Sequence, residues 1–288
     1  VRLGLKVNQH QLEWTELLDR VRLAEALGFD GAWIFDHFKA MEGDPTGPCM
    51  EAWTLLSALA ASTERIRLGA LATGVMFRHP SVLAAEAVTV DRISSGRLEL
   101  AMGAAWHEGE HRELGIDFPG ARERTERLEE AVRVMRLLMT EDAAGFEGRH
   151  YRLDGATFRP RPVQQPHPPI WIGAGGDRVM IPLAAREADV WHCFSELEEL
   201  PAKVRIFEEH AEKAGRDPSA ITRAADLPIA EDPWDAVVER AETLRDLGFS
   251  YLVVPWPAEG QARVEEFVDW WPFEGLGRGQ APPHTSGA

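Results

Sequence analysis

Eight short apolar runs, each followed by a stretch with helical spacing, constrain this chain more than any other feature. The runs are Leu3 to Val7, Ala32 to Phe35, Ile66 to Thr73, Arg97 to Gly103, Pro169 to Gly173, Ala188 to Phe194, Ile221 to Leu227 and Tyr251 to Val254. Between them, apolar residues recur every three or four positions, as in Leu17, Val21, Ala24 and Leu27, which predicts helices. Further helices are expected at Glu51 to Ser62, Pro80 to Ile93, Arg122 to Met139, Asp177 to Glu187, Glu196 to Ala214, Pro233 to Leu247 and Gln261 to Trp271. A run such as Ala32-Trp33-Ile34-Phe35 has no polar alternation, so it suits a strand buried on both faces in a parallel sheet. Leu27-Gly28-Phe29 before one run and Leu247-Gly248-Phe249 before another read as two copies of one βα unit, with each glycine a left-handed helix cap. Eight such units in 288 residues favour a closed α/β barrel of the (β/α)8 TIM type over an open doubly wound sheet.

The alternation fails once. From Thr140 to Pro168 there is no amphipathic helix, only a hairpin-like stretch around Phe146 to Leu153 and prolines 160, 162, 166 and 168. We read this as an extended insertion between the fourth helix and the fifth strand, passing over the barrel mouth. Residues 1–273 then form a single domain, and 274–288, rich in Gly and Pro, a disordered tail.

Charge narrows the partners. With 31 basic against 47 acidic residues the net charge is −16, which opposes binding to nucleic acid and to anionic membranes. Two cysteines cannot build a disulfide framework, and no apolar run is long enough to cross a bilayer. The chain opens on a strand-like segment without a charged leader, so a cytoplasmic location is expected.

Barrel active sites lie where strands end at their C-termini. Asp36-His37 ends the second strand, Gly74-Val75 follows the third, and Trp106-His107 follows the fourth, so these residues share one mouth. Either rim hydrogen bonding or chemistry would explain the histidine. His107-Glu108-Gly109-Glu110-His111 matches the zinc pattern H-E-x-x-H. It begins at a strand exit, contains a glycine and lacks a third histidine, so no metal is expected. Gly173-Ala174-Gly175-Gly176 begins like a dinucleotide fingerprint, but Arg178 stands at the last glycine position. It is either a tight βα turn or a phosphate-holding turn ahead of a helix beginning at Asp177. Trp33, Trp53 and Trp171 read as core, with Trp191 the exception.

Taken together, several spaced motifs carry a resemblance. They are Asp36-His37-Phe38, Gly47 to Trp53, Arg78-His79-Pro80, Asp91 to Arg97, Gly103 to Trp106, Glu110-His111-Arg112, Phe118-Pro119, Pro160 to Gln164 and Gly173 to Gly176. The chain resembles the luciferase-like monooxygenase superfamily, in its branch of F420-dependent oxidoreductases, from Leu3 to about Trp271. The resemblance implies a barrel binding the deazaflavin F420, or alternatively FMN, at the strand C-termini. It places Asp36 and His37 near the ring, Gly74-Val75 at a bulge behind it that often carries a non-proline cis peptide, Trp106 beside it, and Ala174, Gly175 and Gly176 at the phosphate.

The implied function is hydride transfer between F420 and a small organic substrate by a homodimer. Some relatives carry a catalytic Glu where this chain has Trp106, which leaves the proton to His37, oriented by Asp36, and next to Glu108. An FMN-dependent monooxygenase and a catalytically inactive cofactor-binding barrel are the alternatives, the latter resting on Trp106 and on Ser95 in a turn usually made of two glycines.

Overall fold

The computed structural model describes residues 1–271. The tail expected from residue 274 lies outside the described residues. The barrel strands are β1 (Arg2–Lys6), β2 (Gly31–Ile34), β3 (Arg67–Ala70) with its continuation β4 (Thr73–Gly74), β5 (Leu98–Gly103), β8 (Ile170–Gly173), β9 (Val190–Cys193), β10 (Thr222–Asp226) and β11 (Phe249–Pro255). All pair in parallel in that order, and β1 pairs with β11 from Arg2↔Tyr251 to Lys6↔Pro255, which closes the ring. The fold is an eight-stranded (β/α)8 barrel, as expected. Outside it lie α1 (Trp14–Leu27), α2 (Ala52–Ser62), α3 (Pro80–Ile93), α4 (Glu108–Leu114), α5 (Ala121–Thr140), α6 (Met180–Glu187), α7 (Leu200–Lys213), α8 (Trp234–Asp246) and α9 (Gln261–Trp270). Gly28 and Gly248, at φ 87° and 83°, turn the chain from α1 into β2 and from α8 into β11, so the two copies of the Leu-Gly-Phe unit are structurally equivalent.

Two packed cores result. The larger, between strands and helices, takes the alternating residues that face outward from each strand. The smaller fills the barrel with Trp33, Leu71, Ala101, Trp171, Val190, Ala224, Tyr251 and Val253. Two indoles and a phenol are bulky for an eight-stranded interior, and glycines make the room. A Cβ on Gly4 would stand 2.5 Å from Trp33 Nε1, and one on Gly31 or Gly69 would overlap Tyr251 or Trp33. Trp33 Nε1 donates to the Tyr251 hydroxyl at 3.2 Å, and Trp171 Nε1 to the buried Glu99 carboxylate at 2.6 Å, which Arg67 also reaches. The aromatic plug thus seals the N-terminal half and leaves space near the strand C-termini.

Three expectations need correction. The insertion does not cross the mouth. After α5, strands β6 (Ala144–Glu147) and β7 (Arg152–Ala156) form an antiparallel hairpin that climbs the outside of that helix. Glu130 in mid-helix accepts from the N–H groups of Arg149, His150 and Tyr151 at the hairpin tip. The returning chain ends beneath the barrel, where the buried Asp91 carboxylate accepts from Val163 N at 2.6 Å and from Gln164. Next, α6 begins at Met180, not Asp177, and residues 177–179 are turn. Finally, Trp191 is core like Trp33, Trp53 and Trp171, since its ring stacks on Phe207 and its Nε1 donates to Ala174 O at 2.9 Å.

Candidate active site

His37 stands just beyond β2, and two buried polar side chains fix the chain there. Gln9, fully buried, accepts from Phe35 N and donates to Phe35 O and Met50 O, which clamps the strand exit. Glu110, buried on α4, takes His37 Nδ1 at 2.7 Å on one oxygen and the N–H groups of Phe38 at 2.6 Å and Lys39 at 3.2 Å on the other. A carboxylate on Nδ1 makes that nitrogen the donor and leaves Nε2 for a ligand. Burial works against ionisation of Glu110, but the hydrogen bonds from His37 and from the Phe38 and Lys39 N–H groups prevail and hold its carboxyl below the usual carboxylate range. Edges of Phe35 and Trp106 approach the His37 ring at 5.5 and 5.7 Å between centroids.

Asp36 does something else. Its carboxylate faces Arg78 in a two-pronged pair at 2.8 and 3.0 Å and accepts from Gly74 N at 3.0 Å. Arg78 also reaches Glu51, whose side chain caps α2 through the N–H groups of Trp53 and Thr54, and Glu86 on α3. Burial pushes the Asp36 carboxyl up, against the pull of Arg78. With its oxygens taken, Asp36 ties the exits of the second and third strands together and does not orient His37. Glu110 has that role.

A cavity of about 520 Å³ opens at the strand C-termini, lined in part by Lys6, Asp36, His37, Leu71, Gly74 and Trp106. Its other walls include Phe77, His107, His111, Arg124, Gly173 and Phe194. Trp106 is 67% exposed at the rim. Gly74 lines the cavity, but Val75 is packed in the outer core. Leu71 and Ala72, joined by a non-proline cis peptide, form the adjacent wall, three residues before the position the resemblance suggested for that bond. Glu108 is exposed on the first turn of α4 and does not line the cavity. Glu110, the buried carboxylate of this helix, does not line the cavity either and bears on it through His37 Nδ1.

The remaining expected residues divide. Ala174 is buried with its N–H on His192 O and its carbonyl on Trp191, so its backbone is spoken for. Gly175 and Gly176 lie outside the cavity lining, between Gly173 and Met180, which belong to it. The H-E-x-x-H match resolves into other work: His107 caps α4 by accepting Glu110 N at 3.0 Å, and His111 stacks on Phe77 with its Nδ1 3.0 Å from His107 O. A second cavity of about 550 Å³ adjoins across Phe194 and is lined by Glu196, Glu198, Asp226 and Asp232, with Arg240 already paired to Asp232 at 2.9 Å.

Sequence reasoning missed Glu110, Gln9, Arg78 and His111 as parts of this site. One signal was present. Residues 108–114 have Leu114 as their sole large apolar residue, so a helix there must bury polar groups if it packs at all, and Leu114 is indeed exposed while Glu110 and His111 are buried.

The family model for luciferase-like monooxygenases matches residues 2–247. The chain belongs to this family. An F420-dependent glucose-6-phosphate dehydrogenase of Kineococcus radiotolerans is 34% identical over 249 residues, covering 82% of this chain and 71% of that protein. One of the same name from Intrasporangium calvum is 31% identical, covering 91% and 95%. Among solved structures, an F420-dependent secondary alcohol dehydrogenase in complex with an F420–acetone adduct superposes with a TM-score of 0.81 at 20% identity, over 92% of this chain and 96% of that one. The F420-dependent tetrahydromethanopterin reductase of Methanopyrus kandleri gives 0.78 at 20% identity, over the same shares of the two chains. At that identity the structural likeness is one of fold. At the mouth of its barrel this chain places an ionisable pair, His37 and Glu110, 2.7 Å apart.

Proposed function

We propose that the chain is an F420-dependent oxidoreductase that exchanges hydride with a small organic substrate in the 520 Å³ cavity. The observation that carries this reading is His37 in the wall of that cavity with the buried Glu110 behind it on Nδ1, in a chain 34% identical to proteins named for F420 dependence. The residues present suit the group. A flat polycyclic ring needs apolar walls and few polar contacts, and Leu71, Ala72, Phe77, Trp106 and Met180 supply the first. His111 Nε2, buried without a partner, supplies an unmet polar contact. His37 Nε2, Leu71, Ala72, Gly74 and Trp106 would hold the ring. When bound, F420 supplies two-electron hydride exchange at carbon five of that ring and no oxygen activation.

The chain's own part is the proton. His37 Nε2 takes a substrate hydroxyl proton on oxidation and returns it on reduction, while Glu110 on Nδ1 fixes the tautomer and stabilises the imidazolium. Phe35 and Trp106 limit water around the ring. The four carboxylates of the adjoining cavity disfavour a phosphate dianion, so the substrate is an unphosphorylated alcohol or carbonyl compound, unlike the substrate named for the relatives. As further parts of the proposal, residues 1–273 act as one domain, the assembly is a homodimer and the location cytoplasmic. What supports the last two is a pair of exposed apolar side chains at the two ends of α3, Val82 and Ile93, and the free state of Cys49 and Cys193. Among the described residues no helix is long and apolar enough to cross a membrane. Turnover tests the function: oxidised F420 with a panel of small alcohols, and reduced F420 with the matching carbonyls, should show a change in the deazaflavin absorbance with at least one pair, and none with glucose 6-phosphate. Silence across the panel in both directions counts against it.

A further inference from the structure

Between the two cavities stands Phe194, 48% exposed and lining both. Its ring lies against Gly173, where a Cβ would stand 2.5 Å from it, and 4.3 Å from the His192 ring between centroids. A substrate that reacts in the first cavity can extend past this ring, so the lining of the second bears on which substrates fit. That lining has one sign of charge. Glu196, Glu198, Asp226 and Asp232 contribute carboxylates, and the one cation, Arg240, is paired with Asp232. Glu196 and Glu198 are exposed, and among the described residues no cation pairs with either; Lys203 on α7 bonds Asp177 and Gly175 O instead.

A buried pair beside that cavity is the second observation. His192 on β9 is fully buried, two residues after the interior Val190, and neither of its ring nitrogens has a hydrogen-bond partner. Its Nε2 is 3.2 Å from Oδ1 of Asp226, the carboxylate that ends β10 and lines the cavity. That is an ion-pair distance without hydrogen-bond geometry, so Asp226 Oδ1, itself buried, also lacks a donor. Burial works against ionisation of Asp226, but His192 and Lys6 prevail and hold its carboxyl below the usual range. A buried acceptor without a donor is costly, and a cationic donor in the cavity would relieve it. Among the described residues no three of His, Cys, Asp or Glu are grouped to hold a metal ion, which leaves an organic cation.

We propose that the second cavity seats an ammonium group of the substrate, with Asp226 and Glu198 as its anions and the Phe194 ring beside it. An ammonium brings three N–H donors and a charge, and an aromatic face adds to its binding. The substrate class is then an amino alcohol, or the amino ketone or aldehyde into which it is oxidised. The seat rests on the hydride-transfer reading above, in which the ammonium end takes no part.

Charge-matched substrates test it. At saturating F420, kcat/KM is measured for secondary alcohols of one chain length ending in ammonium, methyl or carboxylate. The ammonium compound should exceed the methyl one by about tenfold or more, as for hydrogen bonds to charged groups, and the carboxylate should be poorest, with added salt shrinking the preference. Asp226→Asn and Glu198→Gln should each lower the ammonium-to-methyl ratio, and Glu198→Lys should favour the carboxylate. Because Glu198 is exposed, its variants decide even where Asp226→Asn fails to fold. Equal rates for ammonium and methyl in the parent overturn the seat, as does a common change of all three rates in Glu198→Lys, which would mean a structural effect. Calorimetric titration of the chain alone with hexylammonium chloride separates the two readings. Binding that Glu198→Lys weakens, in a chain that turns over none of the alcohols, counts against hydride transfer and not against the seat. Absence of hexylammonium binding overturns the seat whatever the turnover.

Discussion

At His37 the site turns on a pair of residues far apart in sequence and 2.7 Å apart in space. His37→Ala, measured at saturating F420, should lower turnover by about 10²-fold or more, the range for a general acid–base group. Glu110→Gln tests positioning: it should reduce kcat more than it raises KM and shift the pH profile of kcat, and Glu110→Asp should recover part of the rate. Removal of the side chain in Glu110→Ala leaves the Phe38 and Lys39 N–H groups and His37 unpaired, a cost of about 1–3 kcal/mol for a buried donor, measurable by denaturant unfolding. Because the Glu110 carboxyl is held below its usual range, the folded protein binds fewer protons there than the unfolded chain in acid. The stabilisation is therefore full above about pH 4.3 and is lost as pH falls through the lowered folded value, so parent and Glu110→Gln should converge in stability in acid. Asp36 and His37 were legible because a polar pair ended an apolar run. Their partners were not, since neither Glu110 nor Arg78 has a periodic pattern linking it to the second strand.

Among the elements, the strands and most helices could be read from periodicity because a barrel buries both strand faces and one stripe of each helix. The path of the insertion could not, since periodicity says nothing of where a hairpin packs; Glu130 and the buried Asp91 set that path. Asp91 to Arg97, part of the most specific stretch of the resemblance, lies beneath the barrel, where Arg97 bonds the carbonyls of Ala60, Thr63, Ile66 and Ser94. Ser95, at φ 56°, belongs to that lower turn, so its departure from glycine bears on folding and not on the cavity. The interior glycines also belong to this scale. A Cβ on Gly69 would overlap Trp33 and stand 2.7 Å from Glu99 O, so Gly69→Ala should destabilise by about 1–3 kcal/mol and lower Tm. In the turn before α6 the tight position is Gly175, where a Cβ would meet Phe194 O at 2.8 Å, while one on Gly176 would meet Met180 Cβ at an ordinary 3.9 Å. Gly175→Ala should lower Tm and Gly176→Ala should not, as followed by thermal unfolding.

For the whole molecule, the division of charge matters most: an acidic protein with one cavity lined by Lys6, Arg124 and three histidines beside another lined by carboxylates. Long-range repulsion from a net charge of −16 works against any acidic ligand, and local cations must overcome it. The barrel itself was the most legible feature, since eight repeated units leave few other topologies. If Val82 and Ile93, exposed at the two ends of α3, lie in the proposed dimer interface, light scattering should show a dimer, and Val82→Asp with Ile93→Asp should yield monomer with the fold intact. A deazaflavin site at the barrel mouth is tested by titrating the chain with F420 and with FMN in parallel and reading each ligand's fluorescence. Saturable F420 binding at micromolar or lower concentration, which FMN does not displace, is the expected result. FMN binding in that range without F420 binding would contradict it.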